Sequence, residues 1–482
     1  MLAAFGLGIS NLSAPSLWHD EAVHVFVAKN IVEIGSPQHN TGVPYYSGTT
    51  WNYLLAFVIR YWGWEEAIVR TPAVIVATLN VLLTFLVIRP LLGTKTAVVA
   101  ALALALNPWS VAWSREARFY GLQQAFFLAT FGAFWQAAVA ETTRRGFRWG
   151  VVAGTCYLLG VLTAFHSGLF VSGLGVFAAG MLVYARTERK RWAWATLAVA
   201  LASVITVGLY AGLLNPYDRY MVYGQGGVGG EFVEDARIDR AYYFNWLRLN
   251  LSTGVFVTAL AGFGLMIVRE GRKGVLTALC FWVPLILLTF FIGYRRPRFM
   301  FFAFPLYAAA FAYASVVAAD WLMKTKPRLW QRAATVILGL FAVRVLISVL
   351  FLIGDSVVVA GGSDTSLAKH HPRWQEPCAY VRENVQPDEV VLTTTWLPTL
   401  YYVGRVDNWY PTRALWGGHG RPQGSRGTEG LRRSPSEGLF SGRLVAVRAK
   451  CGHAGRTPLG AGKHDSPLDG ELGGYHSVPV GF

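Results

Sequence analysis

Three consecutive stretches decide the fold: AIVRTPAVIVATLNVLLTFLVI (67–88), RPLLGTK (89–95) and TAVVAALALALNPWSVA (96–112). Two apolar runs flank a short basic break. A helix needs roughly 17–25 apolar residues to cross a bilayer core, and both runs approach or reach that length. The same alternation recurs along most of the chain. Apolar runs fall near 1–17, 67–88, 96–112, 120–140, 148–165, 169–185, 193–214, 251–269, 275–293, 299–322 and 333–353. The pattern predicts an all-α polytopic membrane protein of about eleven transmembrane helices.

Composition agrees. Of 482 residues, 54% are hydrophobic and only 15% charged, where a soluble domain carries roughly 25% charged residues. The mean hydropathy is +0.38. The net charge of +16 invites a nucleic-acid reading, but its distribution argues against one. Five breaks (89–95, 141–148, 186–192, 269–274 and 323–332) hold sixteen Lys/Arg against three acids. Basic loops of this kind mark the cytoplasmic side. The basicity is topological, and no nucleic-acid partner is expected.

Placing those breaks inside leaves 18–66, 113–119, 166–168, 215–250, 294–298 and the residues after 353 outside. Within 18–66, Trp51–Trp62 (WNYLLAFVIRYW) is apolar but short. Twelve helical residues reach about 18 Å against a core of about 30 Å, so this is read as a helix lying in the interface. Asp20–Glu33 reads as a second amphipathic helix of the same loop. The glycine run Gly224–Gly230 lacks a preceding strand and a following Lys-Ser/Thr, so it reads as a flexible lid or linker and not a nucleotide loop. Met1–Leu17 lacks a basic leader and a cleavage site, and is read as the first span.

The division expected is a transmembrane domain over 1–353, a partial extracytoplasmic α/β domain over 354–416, and a disordered or frame-shifted tail over 417–482. In the second part a helix is expected at Glu376–Asn384, a strand at Glu389–Thr395 and then another at Leu400–Tyr402. Sixteen of the last 66 residues are glycine, and no periodicity survives there. Cys156 and Cys280 sit in apolar runs, while Cys378 and Cys451 have no metal-like spacing.

Three groups could carry chemistry. Trp18-His19-Asp20-Glu21 follows the first span. Adjacent carboxylates beside hydrocarbon are costly unless they work or pair, although Asp20 is also a good helix N-cap. Asp20 and His24 share a helix face and could ligate a metal, but the paired-histidine spacing of zinc proteases is missing, and no metal or other cofactor is expected. The second group is Ser114–Tyr120 (SREARFY), with Arg115, Arg118 and Tyr120. The third is Tyr294–Phe299 (YRRPRF), with Arg295, Arg296 and Arg298. All five cations are arginine. Snorkelling would be indifferent to Lys or Arg, whereas the planar guanidinium fork suits phosphate. His24 and His166 are candidate substrate contacts, although a structural histidine at a helix end fits His166 better. Arg344 falls inside the 333–353 run with no nameable partner.

This ordered set resembles the class C glycosyltransferases, specifically the protein O-mannosyltransferases and the aminoarabinose transferase of lipid A. The residues that carry the resemblance are Trp18–Ala22, Glu66–Pro72, Asn107–Tyr120 and Pro297–Pro305. It implies a polyprenyl-phosphate sugar donor, transfer with inversion, and Asp20 as the base, with Glu21 beside it. It also implies a glycan, lipid or protein hydroxyl acceptor, and a multi-pass protein of the plasma membrane whose active site faces outside. The chemistry is consistent: a lipid phosphate leaves as a stable anion that arginines can hold, and one carboxylate suffices to take the acceptor proton. A lipid-linked oligosaccharide flippase or a non-catalytic assembly subunit are the alternatives. The former would place polar groups deep in several spans, and the latter needs no carboxylate–arginine set.

Overall fold

The computed structural model describes residues 1–40, 42–213, 240–291, 296–325, 374–393, 395–409 and 444–447, together with short pieces between 328 and 370. The chain divides into two compact units. One comprises Met1–Ala14 and His24–Lys369; the other comprises Pro15–Val23 and His370–Phe482.

The first unit is helical. It begins with α1 (Leu2–Ile9), followed by α2 (His19–Ile34, whose first turn belongs to the second unit), α3 (Thr49–Trp62), α4 (Glu66–Leu92), α5 (Thr94–Leu106) and α6 (Pro108–Ser114). Next come α7 (Tyr120–Val139), α8 (Thr143–Thr163), α9 (Phe170–Tyr184) and α10 (Arg189–Leu213). The last are α11 (Tyr242–Asn250), α12 (Thr253–Glu270), α13 (Arg272–Phe290) and α14 (Phe304–Thr325). Short 3₁₀ turns at Phe165–Leu169 and Pro297–Ala303 lead into α9 and α14.

Among the described residues, six helical segments are long and apolar enough to cross a membrane. A seventh candidate, α5 with α6, is bent by 61°. The bend is written in Asn107-Pro108. Asn107 leaves the helical region, and its side chain accepts from the backbone N–H groups of Trp109 and Ser110, capping the helix that Pro108 opens. The expected run 96–112 is therefore two helices. The run 1–17 yields only α1, whose eight residues reach about 12 Å. α7 and α8 are about 30 Å long at 20 and 21 residues but more polar than the six. Most of 333–353, including Arg344, lies outside the described residues, as does the glycine run at 224–230.

α3 has 14 residues, about 21 Å. It buries Trp51, Asn52, Leu55 and Ala56 and exposes Tyr53, Phe57, Tyr61 and Trp62. One packed face and one aromatic outer face suit a helix at the membrane boundary. Cysteines at Ser47 and Glu65, in a background lacking the native thiols, are expected to label with an impermeant maleimide from the same side; labelling of only one would make α3 a true span. Gly48 and Gly63 are poor sites for such probes. Both have positive φ, and a Cβ would lie 2.9 Å from His24 Cε1 at the first and 2.6 Å from Glu65 Oε2 at the second.

Small residues let helices approach closely. A Cβ on Gly262 of α12 would lie 1.9 Å from the Ala310 carbonyl oxygen of α14, whereas one on Gly264 would meet nothing within 4 Å. Gly262→Ala is therefore expected to cost about 1–3 kcal/mol or more through overpacking. Gly264→Ala should be neutral or stabilise by up to about 1 kcal/mol through helix propensity. Thermal unfolding in detergent checks the pair, and equal effects would contradict this packing. At the basic breaks, Lys95 pairs with Asp320 at 2.8 Å and Arg272 with Glu188 at 3.1 Å. Tyr313 donates to Glu270 at 2.7 Å.

The second unit holds α15 (Gln375–Asn384), α16 (Trp396–Val403) and a parallel three-stranded sheet. After two-residue strands β1 (Val357–Val358) and β2 (Lys369–His370), the sheet uses β3 (Val390–Thr393), β4 (Asn408–Trp409) and β5 (Leu444–Val447) in the order β4-β3-β5. Trp374, Cys378, Val381 and Val391 form its core, with Tyr402 and Val403 packed against it. Burial pushes the Cys378 thiol up to about 12, so it is a packing group. Two expectations change here. Leu400–Tyr402 belongs to a helix, and the stretch read as patternless after 416 contributes strand β5, which pairs with β3 over four residues. The rest of 417–482 lies outside the described residues.

Candidate functional site

The arginine turn 115–119 is held between α6 and α7. Its backbone is closed by Arg115 N–H to Ala112 O at 3.0 Å and Arg118 N–H to Glu116 O at 2.7 Å. The Trp51 indole of α3 donates to Ala117 O at 3.1 Å. At the start of α7, Gln123 donates to Ser167 Oγ at 3.0 Å and Gln124 to Phe301 O at 2.8 Å. Asn80 of α4 donates to Gly121 O at 2.8 Å. Gln123 and Gln124 tie the start of α7 to both 3₁₀ segments and Asn80 ties it to α4; the sequence reading missed all three. Their signal was present, because Asn80, Gln123 and Gln124 are polar residues inside apolar runs.

The tie brings Arg118, Tyr120, His166 and Arg298 into one aromatic frame. Arg118 is 7% exposed. It donates to Tyr120 Oη at 3.1 Å, and its guanidinium lies 5.5 Å and 5.2 Å from the Phe119 and Tyr120 ring centroids. The His166 ring is 6.4 Å from Tyr120 and 4.9 Å from Phe299, and Arg298 lies 5.9 Å from Phe299. Arg296 is buried, and its backbone N–H donates to Tyr243 Oη at 3.3 Å while Tyr243 Oη donates to Arg296 O at 3.2 Å. Arg295 lies outside the described residues.

Arg115, expected beside the donor phosphate, makes its contacts at the end of α1. Its Nη1 donates to the carbonyls of Leu7 at 3.2 Å, Gly8 at 3.4 Å and Ser10, and its Nη2 to Asn11 O at 3.2 Å. Arg70, which was given no role, donates to Leu12 O at 2.7 Å. The last carbonyls of a helix lack intrahelical partners and favour a cation; two arginines supply this at the end of α1. Burial, and then Arg70, push the Arg115 guanidinium down to about 10, still cationic at neutral pH.

The carboxylates open α2, in the second unit. The helix begins at His19, so Trp18 is the residue before it and Glu21 is the third helical residue. Trp18 N–H donates to Glu21 Oε2 at 3.0 Å, half of a capping box. Capping thus falls to the fully buried Glu21 and not to Asp20, which stands half-buried in the first turn. His24, one turn on and in the first unit, is buried with Nδ1 2.7 Å from Asn52 Oδ1, and Asn52 Nδ2 donates to Ser47 O at 3.0 Å. The Asn52 oxygen is therefore the acceptor, and His24 Nδ1 carries the proton. The ring stands edge-on to Phe119 at 5.3 Å. Among the described residues, no three His, Cys, Asp or Glu side chains converge as metal ligands.

A solved relative with this arrangement of helices is ArnT from Cupriavidus metallidurans bound to undecaprenyl phosphate. The TM-score is 0.59 at 13% identity, covering 86% of this chain and 85% of that one. The chain shares its fold with ArnT. ArnT in the apo state matches with a TM-score of 0.54 at 12% identity, over 84% and 83% of the two chains. AglB from Archaeoglobus fulgidus, in complex with an inhibitory peptide and a dolichol-phosphate, matches with a TM-score of 0.57 at 13% identity. The fold shared with AglB covers 86% of this chain but 64% of that longer protein. Residues 49–210 match the family model of dolichyl-phosphate-mannose-protein mannosyltransferase, a stretch that contains α3 to α9 and the Arg118 turn. No curated protein sequence matches the chain.

Proposed function

We propose that the chain transfers a sugar from a polyprenyl-phosphate donor to an acceptor hydroxyl on the extracytoplasmic face of the plasma membrane. Asp20 takes the proton from the acceptor hydroxyl. That oxygen attacks the anomeric carbon opposite the phosphate, the bond from that carbon to the phosphate oxygen breaks, and the lipid phosphate departs as an anion. One displacement inverts the anomeric centre. Arg118 and Arg298 hold the phosphate, with Arg295 and Arg296 adding charge, and Tyr120 orients Arg118 through its hydroxyl. His166 and His24 line the sugar side. The observation that carries this reading is the arginine–aromatic frame of buried Arg118 and Tyr120 with half-buried Phe299 and Arg298, in a fold whose relative was crystallised with undecaprenyl phosphate. Preformed donors in a partly desolvated site stabilise developing negative charge far better than solvent does.

The test is incubation of purified protein with a panel of labelled undecaprenyl- and dolichyl-phosphate sugars, mannose and aminoarabinose among them, plus membrane extract. A labelled glycoside together with free lipid phosphate is expected. Movement of intact donor across vesicles without cleavage would indicate a flippase instead.

A further inference from the structure

The carboxylate turn is held by residues far away in the sequence. Pro15–Val23 belongs to the same compact unit as His370 onward. Within that unit, Leu17 N–H donates to Tyr402 Oη at 2.7 Å. Ser16 Oγ accepts the backbone N–H groups of Trp374 at 2.9 Å and Gln375 at 3.2 Å. The helix α15 has no side-chain cap from its own Trp374, so Ser16 supplies one across 358 residues of chain. Ser16 and Leu17 are 2% and 0% exposed, although Ser13 and Ala14 just before them are exposed. The next residue, Trp18, is bonded through its N–H to Glu21, beside Asp20.

We infer that Tyr402 and Ser16 are positioning residues, through which the C-terminal α/β unit fixes the turn bearing Asp20. This rests on the proposed role of Asp20 as base. A base must sit within hydrogen-bond reach of the proton it takes, and misplacement by about 1 Å can cost about a hundredfold in rate. A nine-residue connection between α1 and α2 has too many conformers to hold such a position unaided. Three hydrogen bonds, one to Tyr402 of α16 and two at the start of α15, remove that freedom immediately before Asp20. Residues 370 onward thereby act on catalysis through the turn that they hold, without contributing a group that touches substrate.

The experiment compares full-length Tyr402→Phe, Ser16→Ala and Ser16→Thr with the parent. Hydrogen exchange of the peptide covering 15–23 should accelerate in the first two variants and return toward parent values in Ser16→Thr, which can still cap. With the labelled polyprenyl-phosphate sugars above, kcat should fall about tenfold to a hundredfold while donor KM stays within twofold. Binding of undecaprenyl phosphate should also be unchanged. Parent-like exchange and kcat in Tyr402→Phe would overturn the inference, as would a donor KM that rises in step with the loss of kcat. If a variant fails to fold, Ser16→Thr and the exchange comparison still decide. Asp20→Asn in the same assay separates the two ideas. Full activity there defeats the base assignment, whereas an inactive Asp20→Asn alongside a parent-like Tyr402→Phe defeats only the positioning role.

Discussion

Asp20→Asn is expected to fold, bind donor and lose turnover by about 10²–10⁴-fold, the range for removal of a positioned general base. The structure sharpens the contrast, because capping of α2 falls to Glu21. Asparagine at residue 20 therefore removes a proton acceptor and leaves the helix start as it was. The positive end of the α2 dipole favours the carboxylate form of Asp20. Glu21→Gln retains a carbonyl oxygen that can still accept from Trp18 N–H, so it should lose about tenfold or less in turnover; the buried neutral amide can even reduce desolvation cost. The measurement is initial transfer rate at saturating donor, alongside thermal stability. An Asp20→Asn protein within a few-fold of the parent would end the mechanism. A Glu21→Gln protein that loses more than Asp20→Asn would exchange the two roles.

The membrane fold and the arginine turns were legible because both are written locally. Apolar runs and basic breaks are one-dimensional patterns, and the preference for arginine over lysine at two junctions is a matter of composition. The division of labour inside each cluster was not legible. Arg115 and Arg118 are three residues apart and read alike. One faces the end of α1, because that helix stops at Ile9 and leaves carbonyls to satisfy. The other meets Tyr120. No periodicity reveals that a hydrophobic run of seventeen residues holds only an eight-residue helix. The sequence offered Asp20 as the N-cap, whereas the helix start lets Glu21 reach Trp18 N–H. Asn107-Pro108 was readable as an N-cap followed by a first helical proline, yet the surrounding hydrophobicity concealed it. Tyr402 gave no signal at all, since its partner is hundreds of positions away. Buried Asn80, Gln123 and Gln124 show that the span interiors are less uniformly apolar than the runs suggest. Their donors go to backbone or serine oxygens within the bundle, so they serve packing and do not by themselves mark a transport path.

Arg118→Ala and Arg298→Ala are each expected to weaken undecaprenyl phosphate binding by about ten- to a hundredfold, corresponding to loss of a charge-assisted hydrogen bond worth about 1.5–3 kcal/mol. Lysine variants should recover part of this. They keep a point charge but lose the planar fork and its stacking on Phe119, Tyr120 or Phe299. Arg118→Lys also forfeits the fixed direction given by Tyr120, so Tyr120→Phe should weaken binding in the same sense by a smaller factor. Arg115 is the internal control. Its guanidinium is occupied by four carbonyls at the end of α1, so Arg115→Lys should lower thermal stability while leaving lipid-phosphate affinity within a few-fold. Titration of detergent-solubilised protein with undecaprenyl phosphate, paired with thermal unfolding, places each arginine on one axis or the other. If Arg118 and Arg298 variants lose stability but bind lipid phosphate normally, the frame is structural and the phosphate must be held elsewhere. If Arg115→Lys loses affinity in proportion to the other two, the carbonyl contacts do not occupy it when donor is bound. A clean separation would tie the phosphate to the aromatic frame, and it would leave α1 as a short helix that two arginines terminate.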